Sequence, residues 1–396
     1  MVEKNGLVKI TRPNKKMLPS FYQEILEKYL SNKQLITLKM LVWVLQTQKE
    51  VRIERLAANL PLPIQENSRR RHIQRFLNSN NLSVVLLWFP IIEAILSRLF
   101  KPLSQLVIAI DRTQWKDNNI LMASVIYQKR ALPIYWCLLD KEGCSNLQEQ
   151  QKVLRPVIRL LKNYQLVIIG DREFHGNELR KWLQSQGLKY IFRQKKDTTF
   201  REKRHSFQPL STIPIYPGGR RFYENVHLTQ EKGFGRCNLA VYWKRKYRGK
   251  QELEPWYLST NLTDISTTIK IYGQRFGIEA MFKDCKTGGY NLEGSQASPD
   301  RLVRLILLIA LAMTSAWLQG QKTQAQRQKS YVCRPCEHKR NRRRHSDFWI
   351  GLYGSSWIVS MNECQELVLE MMTLVRNKMP FYQQGMRAVM LIEQPL

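Results

Sequence analysis

Between residues 106 and 193 the chain alternates short apolar runs with amphipathic segments, and this alternation restricts the possible folds more than any other feature. "LVIAID" (106–111), "ILMASVIYQ" (120–128) and "ALPIYWCLLD" (131–140) are of strand length and are separated by polar or basic turns. "NLQEQQKVLRPVIRLLKNY" (146–164) reads as a helix with an acid-rich start and basic residues near its end. "QLVIIGD" (165–171) is a buried strand, "NELRKWLQSQG" (177–187) a helix closed by glycine, and "KYIFRQ" (189–194) a fifth strand. Three strands, a helix, a strand, a helix and a strand predict an α/β fold: a mixed five-stranded sheet flanked by helices.

Residues 196–254 break this rhythm. "GGRRFYENVHL", "RCNLAVYWKRKYRGKQ" and "PWYLSTNLT" predict a β-rich insertion with basic turns that rejoins the core near Trp256. Residues 35–100 read as helical, and residues 1–33 as polar and loosely ordered. The apolar run "LILLIALAMTSAWL" (305–318) has 14 residues, too few to span a bilayer, and is expected to be a buried core helix. The expected organisation is a helical region over 1–100, core over 101–195, insertion over 196–254, core again over 255–320, and a helical region over 321–396.

Lys and Arg number 63 against 32 Asp and Glu, a net charge of +31 in 396 residues. Such self-repulsion is easier to tolerate in a chain that works on a polyanion, and nucleic acid is the expected one. "VRIERLAANL", "PLP" and "ENSRRRHIQRFLNSN" fit a helix-turn-helix-like unit. Its second helix sets Ile73, Phe76 and Leu77 on one face and Arg69, Arg70, Arg71 and Arg75 elsewhere, where they are expected to meet DNA. A solvated basic face has the same pattern. Seven scattered cysteines and the absence of an apolar leader in the first 20 residues point to a reducing compartment, with no membrane partner. Cys333, Cys336, His338 and His345 lie too close together for the usual paired zinc ligands, so "HKRNRRRH" reads as a DNA-backbone patch or a solvated loop.

Two apolar strands end in an acid, Asp111 and Asp171, where open sheets gather their ligands. A carboxylate beside a core needs compensation, and a metal ion supplies it. A third acid lies in "IYGQRFGIEAMFKDCKTGGY" (271–290). Read as one helix, at about 100° per residue, it places Tyr272, Arg275, Glu279 and Lys286 on a stripe roughly 60° wide. Ile271, Ile278, Met281, Phe282 and Cys285 fill the neighbouring apolar arc, with Phe276 outside it. The stripe is either a solvated charged face or part of a site. Convergence of Asp111, Asp171 and Glu279 would suit two Mg²⁺ ions, with Tyr272, Arg275 and Lys286 turned toward DNA phosphates.

These motifs resemble the DDE transposases of the IS4 type. That family carries Tyr, two residues, Arg, three residues, Glu, six residues, Lys, here complete as Tyr272, Arg275, Glu279 and Lys286. The first acid matches in "AIDRTQW" (Asp111) and the second in "GDREFHG" (Asp171), over roughly 35–320. The resemblance implies a ribonuclease-H-like core and catalysis by Asp111, Asp171 and Glu279 with two Mg²⁺, for which Mn²⁺ can substitute. It also implies cleavage and joining of double-stranded DNA at the terminal inverted repeats of an insertion sequence and at a target. A homodimer on DNA and a place at the nucleoid of a prokaryotic cytoplasm follow as expectations. Some relatives stack a flipped end base on an aromatic residue; Trp256 matches that position, and an ordinary core tryptophan fits it equally. The alternatives are a nuclease of the same core without strand transfer and a catalytically silent DNA-binding derivative. His175 is either an aid near the metals or a satisfied polar residue at a helix start, and Arg172 and Glu173, which flank the second acid, are expected in local ion pairs or in contacts behind the metal ligands.

Overall fold

The structure is a computed structural model that describes residues 18–202, 205–229, 236–245, 249, 252–334 and 345–394. The chain divides into two compact units, one formed by Trp88–Gly288 and the other by Met1–Leu87 together with Gly289–Leu396.

The central unit is built on one sheet. Its first five strands are β1 (Gln105–Trp115), β2 (Asn118–Tyr127), β3 (Arg130–Leu138), β4 (Gln165–Gly170) and β5 (Lys189–Arg193). The insertion contributes β6 (Thr199–Arg201), β7 (Gln208–Pro209), β8 (Arg220–Leu228) and β9 (Cys237–Tyr242), and β10 (Trp256–Thr260) follows it. The order is β3-β2-β1-β4-β5-β10-β9-β8-β6-β7. β1 runs antiparallel to β2 and parallel to β4, and β4 runs parallel to β5, which gives the mixed five-stranded core. The insertion does not stand apart as a separate sheet: β10 pairs antiparallel with β5, Leu258 opposite Arg193, and β9 and β8 continue outward. The edge of β5 is therefore covered, which removes a row of unpaired backbone groups.

The parallel strands are nearly continuous apolar runs because both faces are covered. Leu106 to Ile110 and Leu166 to Ile169 are buried throughout, and each Leu, Ile or Val among them contributes roughly 1.5–3 kcal/mol of burial. Helix Leu147–Leu160 opens on a capping box between Asn146 and Glu149. The insertion has its own apolar cluster, with Phe200, Leu210, Leu228, Leu239 and Val241 at its heart.

The other unit is helical. Residues 18–30, expected to be loose, carry helix Ser20–Leu26 with Phe21, Tyr22 and Leu26 buried; three large side chains on one short helix are enough to anchor it. Residues 1–17 lie outside the described residues. Helix Asn32–Gln48 is apolar nearly all round and packs against helix Pro299–Ala325, where Gln46 Nε2 donates to the Ala312 carbonyl. Pro299–Ala325 runs well past its apolar run and is long and apolar enough to cross a membrane, yet most of it is buried among neighbouring helices. Asp347–Glu363 crosses it at Gly320 and Gly351: a Cβ on Gly351 would lie 1.7 Å from the Ala316 carbonyl oxygen. Gln365–Leu374 and Met379–Glu393 complete this unit.

Candidate active site

The register of the sheet brings the first two acids together. β1 and β4 are parallel, with Ala109 opposite Ile169, so Asp111 and Asp171 each lie two residues beyond a matched pair. Asp111 is in the strand; Asp171 follows the last residue of β4 and caps a short 3₁₀ turn, Arg172–Phe174. The Arg112 amide donates to Asp111 Oδ1 at 2.8 Å, and the Glu173 amide donates to Asp171 Oδ1 at 2.8 Å.

The third acid comes from above the sheet. The segment read as one helix is two: Ile265–Tyr272, a 3₁₀ turn at Gly273–Arg275, then Phe276–Cys285. Gly273, a poor helix former, is where the winding tightens. Phe276–Cys285 lies over β1, β2 and β3, burying Ile278, Met281, Phe282 and Cys285, while Phe276 stays exposed. The apolar arc is thus kept, but the polar stripe is not a single line. Lys286 is beyond the helix, with ψ −134°, and its Nζ stands 5.6 Å from the centre of the Trp115 ring.

Arg275, expected to face approaching DNA, is buried instead. Its Nη1 pairs with Asp111 Oδ2 at 3.3 Å and its Nη2 with Glu279 Oε1 at 2.5 Å. The 3₁₀ turn aims the guanidinium inward, where its planar fork joins two acids from different elements. Glu279 itself is half exposed. Burial pushes the Asp111 carboxyl up to about 7; the Asp171 charge, and more weakly that of Glu279, add to this, while Arg275 and the Arg112 amide oppose it.

Oxygen donors of this kind suit Mg²⁺ or Mn²⁺. The like-charge pressure on Asp111 from Asp171 and Glu279 is what a divalent cation among them would relieve. Asp111, Asp171 and Glu279 therefore fit a metal chemically. Among the described residues, however, no group of three or more His, Cys, Asp and Glu side chains is gathered closely enough to hold one. Arg275 spans the distance between Asp111 and Glu279, so closure around a cation requires that guanidinium to turn aside.

Tyr272 is buried, its ring edge-on to Trp256 with centroids 5.0 Å apart. Trp256 is buried as well, between Tyr272 and Tyr242, so stacking on an extruded base would require it to leave this cluster. His175 Nδ1 lies 2.6 Å from the Arg172 carbonyl oxygen, a local turn contact. Two cations absent from the sequence reading crowd this region. Arg193 ends β5 and pairs with Glu254 at 3.2 Å; Arg172 pairs with the same carboxylate. Arg112 pairs with Glu173 at 2.8 Å. Their signal was an arginine directly after, or at the end of, an apolar strand.

In the helical unit, helices Ile53–Asn59 and Glu66–Leu77 form the expected pair. The four arginines divide. Arg69 Nε donates to the Ala57 carbonyl and its Nη1 to that of Ile64, and Arg70 pairs with Glu54, whereas Arg71 and Arg75 are exposed. Cys333 is buried and His345 stacks on Trp349; Cys336 and His338 lie outside the described residues.

The sheet order thus sets an acid near the matched ends of two parallel strands, with a third on a covering helix. The profile of the family described as "Transposase DDE domain" matches residues 105–315, and the chain belongs to that family. No curated protein matches its sequence. Among solved structures it is similar to a piggyBac transposase synaptic complex with hairpin DNA, at 12% identity and a TM-score of 0.44, covering 88% of this chain and 78% of that one. It is more distantly similar to Marinitoga piezophila Argonaute with a 5′ OH guide RNA, at 12% identity and a TM-score of 0.23, covering 55% of this chain and 34% of that one. The assignment rests on the family match.

Proposed function

We propose that the chain cuts and joins double-stranded DNA at the terminal inverted repeats of an insertion sequence, as an IS4-type member of its family. The observation that carries this reading is the register of β1 with β4, which sets Asp111 beside Asp171 under the Glu279 helix. Asp111, Asp171 and Glu279 would hold two Mg²⁺ ions, for which Mn²⁺ could substitute. Bound there, the ions would supply activation of the attacking oxygen and stabilisation of the leaving one. Arg275 exchanges its acid partners for a DNA phosphate as the strand arrives, and Lys286 lines the same approach, whereas Tyr272, buried against Trp256, supports the site from behind. Arg71 and Arg75 meet the duplex, while Arg69 and Arg70 brace the helix that presents them. A homodimer on DNA, in a prokaryotic cytoplasm, belongs to the same proposal.

The test is incubation of the protein with inverted-repeat DNA, a target plasmid and Mg²⁺. Joined products support the proposal, cuts without joining reduce it to a nuclease, and binding without cuts removes the catalytic part. Glu279→Gln keeps the side-chain shape and removes a charged ligand. Cleavage is expected to fall by ~100-fold or more, since even groups behind the ligands cost about 10–100-fold. Inverted-repeat binding is expected to stay, because it rests on the basic surfaces. Cleavage by Glu279→Gln at the parent rate would remove this residue from the site.

A further inference from the structure

Asp111 and Asp171 are linked through Arg112 and Glu173, two residues beside the acids. Starting at Asp111 Oδ1, the bond runs to the Arg112 amide at 2.8 Å. The Arg112 side chain then donates from Nε to Glu173 Oε2 at 2.8 Å. The Glu173 amide closes the path by donating to Asp171 Oδ1 at 2.8 Å. Each residue of the pair thus holds one acid with its backbone and the other residue with its side chain. Both carboxylates are oriented through the same oxygen, Oδ1, and Asp111 Oδ2 is left on the side of Arg275.

The link is shielded and anchored on both sides. The side chains of Arg112 and Glu173 are 18% and 10% exposed, so the pair is screened far less than a surface ion pair. The other Glu173 oxygen accepts from the Ser145 amide at 2.9 Å and from its hydroxyl at 2.7 Å. Arg112 Nη1 donates to Gln114 at 2.8 Å and to Asn119 at 3.1 Å, and Asn119 is itself tied to the Lys141 and Gly143 carbonyls. The Glu173 side chain therefore cannot rotate without losing three bonds, to the Arg112 guanidinium, the Ser145 amide and the Ser145 hydroxyl. An ion pair whose only role was stability would gain little from such a network, because a partly buried pair roughly offsets its own desolvation.

We propose that Arg112 and Glu173 are a positioning pair that sets the Asp111 and Asp171 carboxylates relative to one another, so that the two acids take a divalent cation together. This inference rests on the metal-dependent reading above. It assigns no contact with substrate to either residue; both act through the acids they hold, as outer partners of metal ligands do.

Mn²⁺ alone, titrated into the full chain without DNA and followed calorimetrically and by the electron-spin signal of free Mn²⁺, gives a readout independent of turnover. Glu173→Ala and Arg112→Ala are each expected to weaken Mn²⁺ binding by about 10–100-fold. The double variant is expected to be no weaker than the worse single one, because the two residues act as a unit. Glu173→Gln and Arg112→Lys keep part of the link and are expected between parent and alanine variants, with metal-free binding of inverted-repeat DNA unchanged. Mn²⁺ affinities within about twofold of the parent, or losses that simply add, would overturn the pair. Should the alanine variants not fold, the conservative ones decide: weaker Mn²⁺ binding supports the pair and parental binding overturns it. A parent that binds no Mn²⁺ removes the metal reading and this inference with it, whereas a parent that binds alongside unaffected variants removes the inference alone.

Discussion

Asp284 lies beyond Glu279, near the end of the covering helix, its carboxylate 2.8 Å from Arg130 Nη1. Burial pushes its carboxyl up from 3.8 to about 6, against the pull of Arg130 and Lys283. The folded chain thus keeps a proton there that the unfolded chain releases. Its contribution to stability is full below about pH 4 and is lost as pH rises through 6. Asp284→Asn has nothing to titrate, so the parent should lose ~1–3 kcal/mol relative to this variant between pH 4 and 7. Denaturant melts at intervals of pH measure it, and a constant difference would show that the carboxyl is not raised. The same scale shows what could be read from the chain directly. Asp111 and Asp171 were legible because an acid at the end of an apolar strand has little other explanation. The inward turn of Arg275 was not, because it depends on three residues of tightened helix between Tyr272 and Phe276. Uniform helical arithmetic carries no sign of that turn, and an ion pair or a contact behind the metal ligands was expected of Glu173 without its partner, Arg112, which lies on β1.

Among elements, the crossing of Pro299–Ala325 and Asp347–Glu363 is the most exacting contact. Gly320 and Gly351 let the two backbones approach until a Cβ on Gly320 would lie 1.8 Å from the Asp347 carbonyl oxygen. Since the obstacle is backbone and not the end of a flexible side chain, the helices themselves must part. Gly351→Ala is expected to cost at least the ~1–3 kcal/mol typical of overpacking. In a unit of this size that lowers the melting temperature by about 2–4 °C per kcal/mol, which calorimetry resolves; an unchanged melting temperature would refute the close crossing. Element types over 106–193 followed from the period of the apolar residues, and each strand and helix stands where that period put it. The joining of the insertion to the same sheet did not follow, because strand partners distant in sequence leave no mark on local pattern. β10 pairs with β5 across more than 60 residues, fixed by burial at Leu258, Ser259 and Thr260.

The whole molecule carries +31, and proposed binding to DNA should depend on salt accordingly. Affinity for duplex of arbitrary sequence is expected to fall by ~10³-fold or more between 50 and 200 mM salt, as for a protein meeting six or more phosphates. Fluorescence anisotropy across that range checks it, and a flat profile would mean that the excess charge does not meet phosphates. Charge was visible in the composition; the division of the chain was not. Boundaries placed along a sequence describe consecutive blocks, whereas here Trp88–Gly288 is nested within a unit drawn from both ends of the chain. That nesting sets an order in time. The residues of Asn32–Gln48 leave the ribosome long before those of Pro299–Ala325, the helix that covers them, with about 250 residues in between. At ~5–20 residues per second, this surface waits ~12–50 s for its partner. Throughout that interval a helix whose Leu38, Leu41, Val42 and Leu45 are fully buried at the end lacks one of the helices it packs against. The nested core can close while its host is still being made, and Asn32–Gln48 gains its full cover only after the residues of that core have been made.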